Sequence, residues 1–128
     1  MEDKNDIAKT LFSKGKYQDT INLCQQILSH ESNSLETLKL IAKSYLAIGS
    51  AENAQLYLRK IITLDSNNFE AIKDLGNSYQ ILGDFNSARN SYREAIKINN
   101  EYAPAFTNLG SIEIKSGNTK EGITLLKK

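Results

Sequence analysis

The chain has no tryptophan and only one cysteine, one histidine, one proline and one methionine, and these scarcities remove several function classes at once. A lone Cys24 cannot close an internal disulfide, and together with His30 it falls short of the four ligands of a structural zinc site, so no metal or cofactor is expected. A thiol without a partner suits a reducing compartment, and the cytoplasm is the expected location. No run approaches the roughly 18 apolar residues of a membrane span, and the opening Met-Glu-Asp-Lys-Asn-Asp is polar where a secretory signal is apolar. Net charge is also missing. Lysines and arginines number 16 against 15 aspartates and glutamates, so no global field draws in nucleic acid or an anionic membrane.

What is present is a period. Gly15, Gly49, Gly83 and Gly117 stand 34 residues apart without a slip. The same register carries a large apolar column (Ile7, Ile41, Leu75, Leu109) and beside it a small one (Ala8, Ala42, Gly76, Gly110). A second small column follows at Thr20, Ala54, Ala88 and Gly122. Within one period, Ile72, Leu75, Tyr79 and Leu82 recur at spacings of three and four, the stripe of a helix that ends near Gly83. Phe85, Ala88, Tyr92, Ala95 and Ile96 form a second stripe. A glycine that tolerates positive φ lies between them, followed by Asp84 or Asn118, whose side-chain oxygen suits a helix cap. Each period therefore predicts a helical hairpin whose helices approach closely at the small columns. The asparagines at 33, 67, 68, 99 and 100 fall between hairpins, and Pro104 stands at a helix start, where its missing donor does no harm.

These residues resemble the tetratricopeptide repeat (TPR): Leu75-Gly76, Tyr79, Gly83, Phe85, Ala88, Tyr92 and Ala95 reproduce its pattern in order and spacing, and the register runs the length of the chain. The proline that often closes a repeat is replaced by Ser32, Ser66 and Asn100, and the large aromatic near the repeat start by Lys4, Leu38 and Ile72. The resemblance implies an all-α fold, a right-handed superhelical solenoid of antiparallel helix pairs. It would form a single domain over 1–128 with repeats at about 1–34, 35–68, 69–102 and an incomplete 103–128. It also implies a scaffold that binds a protein or peptide segment on its concave face. Arrays of this family are often fused upstream of transferase domains, so an N-terminal fragment of a larger enzyme is the alternative. Another is a self-assembling module, because Ile123, Leu125 and Leu126 lie on a last helix with no cap beyond it, which offers a homodimer contact.

The chain's own chemistry is sparse. Cys24 shares a column with Leu58, Tyr92 and Leu126, and His30 with Leu64 and Ile98, so both read as packing positions and no catalytic residue is expected. The arginines at 59, 89 and 93 lie on second helices, the convex side in the family, where a basic residue is usually solvated. The concave face is lined in the family by first helices. The matching columns read Asn5, Lys39, Lys73, Thr107 and Lys9, Lys43, Asn77, Ser111, with Asp6, Leu40, Asp74 and Asn108 beside them. Asn5, Lys9, Lys39, Lys43, Lys73, Asn77 and Asn108 are the expected partner-binding residues. Lys39 and Lys43 are four apart on one helix face, a like-charge pair that costs a helix roughly 0.2–0.5 kcal/mol. An acidic segment or a C-terminal carboxylate is the expected ligand. Lys73, Asn77 and Asn108 also match, in order, three positions with which some TPR modules hold the C-terminal carboxylates of heat-shock chaperones.

Overall fold

The four periodic glycines all take a positive φ, from +75° at Gly15 to +91° at Gly117, and each one stops a helix. At Gly83 the Asp84 N–H reaches the Tyr79 carbonyl at 2.9 Å and the Gly83 N–H reaches that of Gln80 at 3.0 Å, the double bond that closes a helix through a left-handed residue. The same pair of bonds recurs at the other three glycines. The protein is described by a computed structural model, which covers residues 3–128. Among the described residues there are eight helices: α1 (Lys4–Ser13), α2 (Tyr17–His30), α3 (Leu35–Ala47), α4 (Ala51–Leu64), α5 (Phe69–Ile81), α6 (Phe85–Ile98), α7 (Ala103–Lys115) and α8 (Thr119–Leu126). Met1 and Glu2, the first residues of the polar opening segment, lie outside the described residues.

Helix starts are capped by several devices. Asp3, Ser34, Asn68 and Asp84 accept a backbone N–H from α1, α3, α5 and α6. Pro104 occupies the first turn of α7, whose Tyr102 cap makes no side-chain bond. Asn118 does not cap α8, contrary to the expectation for its column. Its amide is engaged elsewhere, donating to Glu113 Oε2 at 2.8 Å.

The helices divide into two compact units, Met1–Ser66 and Asn67–Lys128. In the first, Ala8, Ile21, Cys24, Ile27 and Ile41 form the core, with Leu23, Leu28, Leu40, Tyr45 and Tyr57 packed around them. Tyr45 and Tyr57 stack with ring centres 5.8 Å apart. In the second, Ala88, Tyr92, Leu109 and Ile112 form the core, flanked by Tyr79, Ile96 and Leu125. Phe69 and Tyr102 meet edge to face at 4.7 Å at the start of α5.

The small columns close the hairpins. A Cβ added at Gly76 would lie 2.5 Å from Tyr92 Cε1, and one at Gly110 would lie 2.9 Å from the Gly122 carbonyl oxygen. Reading down the pair, Ala8 goes with Cys24, Ala42 with Leu58 and Gly76 with Tyr92, so the first-helix residue shrinks where the second-helix residue is largest.

One buried feature was not legible from composition. Glu113 on α7 is only 1% exposed, and its carboxylate is held by Arg89 of α6 and by Asn118. Arg89 also donates to Asn86 at 2.9 Å and to Ser116 at 3.2 Å. Arg89 is therefore half-buried and structural, which corrects its reading as a solvated residue. Burial pushes the Glu113 carboxyl up, but the hydrogen bonds from Arg89 and Asn118 and the charges of Arg89 and Arg93 outweigh it, leaving the group below the ordinary glutamate value.

Two predictions follow from this packing. Gly76→Ala gains about 1 kcal/mol of helix propensity but over-packs a buried ring by about 1–3 kcal/mol, so it lowers the thermal midpoint followed by circular dichroism. In a Tyr92→Leu background, which recreates the Ala42/Leu58 pairing, the same alanine raises it. Glu113→Gln turns an amide N–H toward the Asn118 donor and destabilises by about 1–3 kcal/mol at neutral pH. A depressed carboxyl stabilises the fold above the unfolded value of about 4.3 and loses that contribution as pH falls through the folded one, so the difference between wild type and variant narrows in acid.

Candidate functional site

In the first unit, α1 and α3 enclose a cavity of about 310 Å³ lined by Asn5 and Lys9 from α1 and by Glu36, Thr37, Lys39, Leu40 and Lys43 from α3. A chain of hydroxyls and an amide joins α3 to α1 at its lining residues Thr37 and Asn5. The Ser34 and Thr37 hydroxyls lie 2.9 Å apart, and Thr37 donates to Asn5 Oδ1 at 3.0 Å. Because that proton goes to Asn5, Ser34 is the donor in its own contact with Thr37. The carbonyl end of the Asn5 amide is thus taken, and its N–H donors are the end left for a ligand.

Lys9 Nζ forms an ion pair with Glu36 Oε1, each side chain about half exposed at 53% and 52%. The hydrogen bond and the charge of Glu36, with smaller help from Asp6 and Asp3, hold the Lys9 ammonium above the ordinary lysine value. Glu36 sits in the first turn of α3, where the helix dipole favours a negative charge. Lys39 and Lys43 line the same cavity and are half-buried, and Lys39 has no ion pair among the described residues. Leu40 packs on the core cluster and gives the cavity an apolar wall. Three lysines and one glutamate thus line a partly apolar surface to which Asn5 adds an amide donor.

The second unit uses the corresponding columns differently. Lys73 is paired with Asp74 at 2.7 Å, its side chain only 14% exposed, and it also meets the Tyr102 hydroxyl. Its charge is spent inside the unit. Asn77 and Asn108 are brought together: Asn108 Nδ2 donates to Asn77 Oδ1 at 3.0 Å, and the Tyr92 hydroxyl donates to the same oxygen at 2.6 Å. Gln80 in turn donates to Tyr92 at 2.7 Å. Burial pushes the Tyr92 hydroxyl up to about 12, so it stays a donor at neutral pH.

Of the seven residues expected from the sequence, Asn5, Lys9, Lys39 and Lys43 line one cavity. Asn77 and Asn108 form a hydrogen-bonded pair in the other unit, and Lys73 is held in an ion pair there. Sequence reasoning did not select Glu36, Thr37 or Leu40 as site residues. Thr37 had a signal, since it stands three residues after the Ser34 cap, but Glu36 lies 27 residues from Lys9 and no helical spacing connects them.

Cys24 is fully buried, and burial pushes its thiol up to about 11, so it carries no thiolate at neutral pH. Among the described residues no group of three or more His, Cys, Asp or Glu side chains is placed to hold a metal ion. No helix among them is long and apolar enough to cross a membrane.

Two family models match the chain, one described as TPR repeat over residues 76–117 and one as tetratricopeptide repeat over residues 36–68. No curated protein matches it. Among solved structures, a MamA crystal structure is 28% identical, covering 95% of this chain and 67% of its own, with a TM-score of 0.82. MamA 41-end from Desulfovibrio magneticus RS-1 is 15% identical over 97% of this chain and 70% of its own, with a TM-score of 0.90. The second TPR domain of human RPAP3, solved by NMR in complex with the HSP70 peptide SGPTIEEVD, is 23% identical over 86% of this chain and 92% of its own, with a TM-score of 0.81. The shared property is the fold, all-α with paired antiparallel helices in repeats of this kind.

Proposed function

We propose, from the premise that this chain belongs to the tetratricopeptide-repeat family, that it binds a protein or peptide segment on the α1/α3 face of its first unit and performs no chemistry itself. The observation that carries this reading is the cavity in which Lys9, Lys39 and Lys43 converge with the Asn5 amide beside Leu40. Such a surface suits an extended or helical segment bearing a carboxylate next to an apolar side chain. The carboxylate is either an acidic residue or a chain terminus. A related choice is visible in the RPAP3 domain, whose bound peptide contains two glutamates and ends in aspartate.

Affinity here comes from groups already in place. Asn5 is fixed by Thr37, Leu40 by the core and Lys9 by Glu36, and Lys39 and Lys43 are half-buried, so little side-chain freedom is lost on binding. The ammonium groups orient the ligand and speed its approach, while Leu40 supplies contact area.

A second reading, self-association, is favoured by the exposure of Ile123 and Leu126 on α8, at 46% and 45%. The residues in the column of Leu126, namely Cys24, Leu58 and Tyr92, are all buried. Self-association through this face predicts a mass by light scattering that rises with concentration, and a constant monomer mass discards it.

The binding reading is checked by fluorescence anisotropy with a labelled, C-terminally amidated peptide that places one glutamate beside an isoleucine. Lys39→Glu combined with Lys43→Glu is expected to weaken binding by about tenfold or more and to flatten its dependence on salt. Equal affinity and equal salt dependence for wild type and double variant would end the proposal.

A further inference from the structure

The cavity already contains a carboxylate of its own. Glu36 is the one acidic side chain among its lining residues, and it is bound to Lys9, the one α1 cation facing the α3 lysines. The pair links α1 to α3 and is half exposed on both sides, so it is not sealed in the apolar packing between the two helices. That packing rests on Ala8, Ile41 and the Thr37–Asn5 bond. An ion pair with no share in the core, lying across a candidate binding cavity, has the geometry of an internal ligand.

We infer that Glu36 is a tethered competitor for ligand carboxylates at Lys9, so that the site takes a segment with a single carboxylate and gains almost nothing from a second. This rests on the binding reading above and names its ligand class. A first carboxylate meets Lys39, which has no ion pair among the described residues, with Lys43 on the next turn of the same helix face. A second one that reaches toward Lys9 must separate it from Glu36 and then lie beside the displaced Glu36 charge. The gain of the new pair is offset by the loss of the old one and by like-charge repulsion. The attraction of Asp6 and Asp3 for Lys9 acts in the same direction. The cavity therefore selects a lone acid next to an apolar residue over an acidic run, although its count of lysines alone would favour the run.

The test uses amidated peptides with one glutamate beside isoleucine, and three counterparts carrying a second glutamate one, two or three residues further on. In the wild-type chain the second acid is expected to change affinity by no more than about 1.5-fold. In Glu36→Gln, which keeps the shape of the side chain, the best-spaced diacid is expected to bind about fivefold more tightly than the monoacid. In Glu36→Gln combined with Lys9→Met the gain disappears, which ties it to Lys9 and separates it from a general loss of negative charge. Circular dichroism melts confirm that all variants fold. A diacid gain in the wild type equal to that in Glu36→Gln overturns the inference, and so does a gain that survives Lys9→Met. Both results leave the binding reading standing. Absence of salt-dependent binding of the monoacid to the wild type overturns the binding reading and this inference with it.

Discussion

The hairpins exist because each first helix can approach its second to within the thickness of a side chain at one place, and that place holds a small residue facing a larger one. At Gly76 the facing group is the ring of Tyr92, fully buried and held at its hydroxyl by Asn77 and Gln80. At Gly110 it is the Gly122 backbone and Leu126. Every other feature of the repeat depends on this contact. The left-handed glycine turn is short because the helices it joins are close, and the apolar stripes face one another because the turn fixes their phase. At Gly76 a side chain one carbon larger would press on the Tyr92 ring, a clash that Ala42 avoids by facing the smaller Leu58.

That contact also accounts for what could be read from the sequence. Residues that set backbone geometry or fill the crossing recur every 34 positions, so the glycines, the small columns and the apolar columns announce the hairpins without any coordinates. The Glu113–Arg89 pair was hidden by the same logic. Glu113 stands in the column of Tyr45 and Tyr79, and Arg89 in that of Ile21. Ile21 and Tyr45 meet in the apolar cluster of the first unit. In the second unit a buried carboxylate and a guanidinium replace an apolar contact, with Asn118 and Ser116 satisfying the remaining lone pairs and donors. Two substitutions that each look like surface charges on a periodic reading are one interaction. Only their distance reveals it, because α6 and α7 bring together residues 24 positions apart. The unused cap at Asn118 has the same cause, since its amide goes to Glu113 and the α8 start does without it.

The candidate site was half legible for a related reason. Lys39 and Lys73 occupy one column, and periodicity assigns them the same role. Their neighbours decide otherwise. Lys39 is followed by Leu40, which packs on the core and leaves the ammonium to the cavity, whereas Lys73 is followed by Asp74, which takes its charge at 2.7 Å. Lys9 and Lys43 likewise share a column with Asn77, whose amide oxygen is shared between Tyr92 and Asn108. A column shows where a side chain sits on the helix, and the adjacent column shows whether its charge is available.

The separation between the residues that make the fold and those that line the face explains a disparity in the comparisons. Structures only 15–28% identical to this chain superpose with TM-scores of 0.77 to 0.90 over nearly all of it. The crossing pair, the turn glycine and a few apolar positions are enough to set the hairpin, and they occupy a minority of the 34 residues. The first-helix face lies outside that set. Lys9, Lys39 and Lys43 fill no core volume, and the like-charge pair on α3 costs only roughly 0.2–0.5 kcal/mol, so the face can change its chemistry without loss of the fold. Two repeats of one chain already differ there, one presenting ammonium groups around a cavity and the other a closed set of hydrogen bonds. A family built this way keeps its architecture under a small set of steric rules and draws its binding preferences from positions those rules leave open.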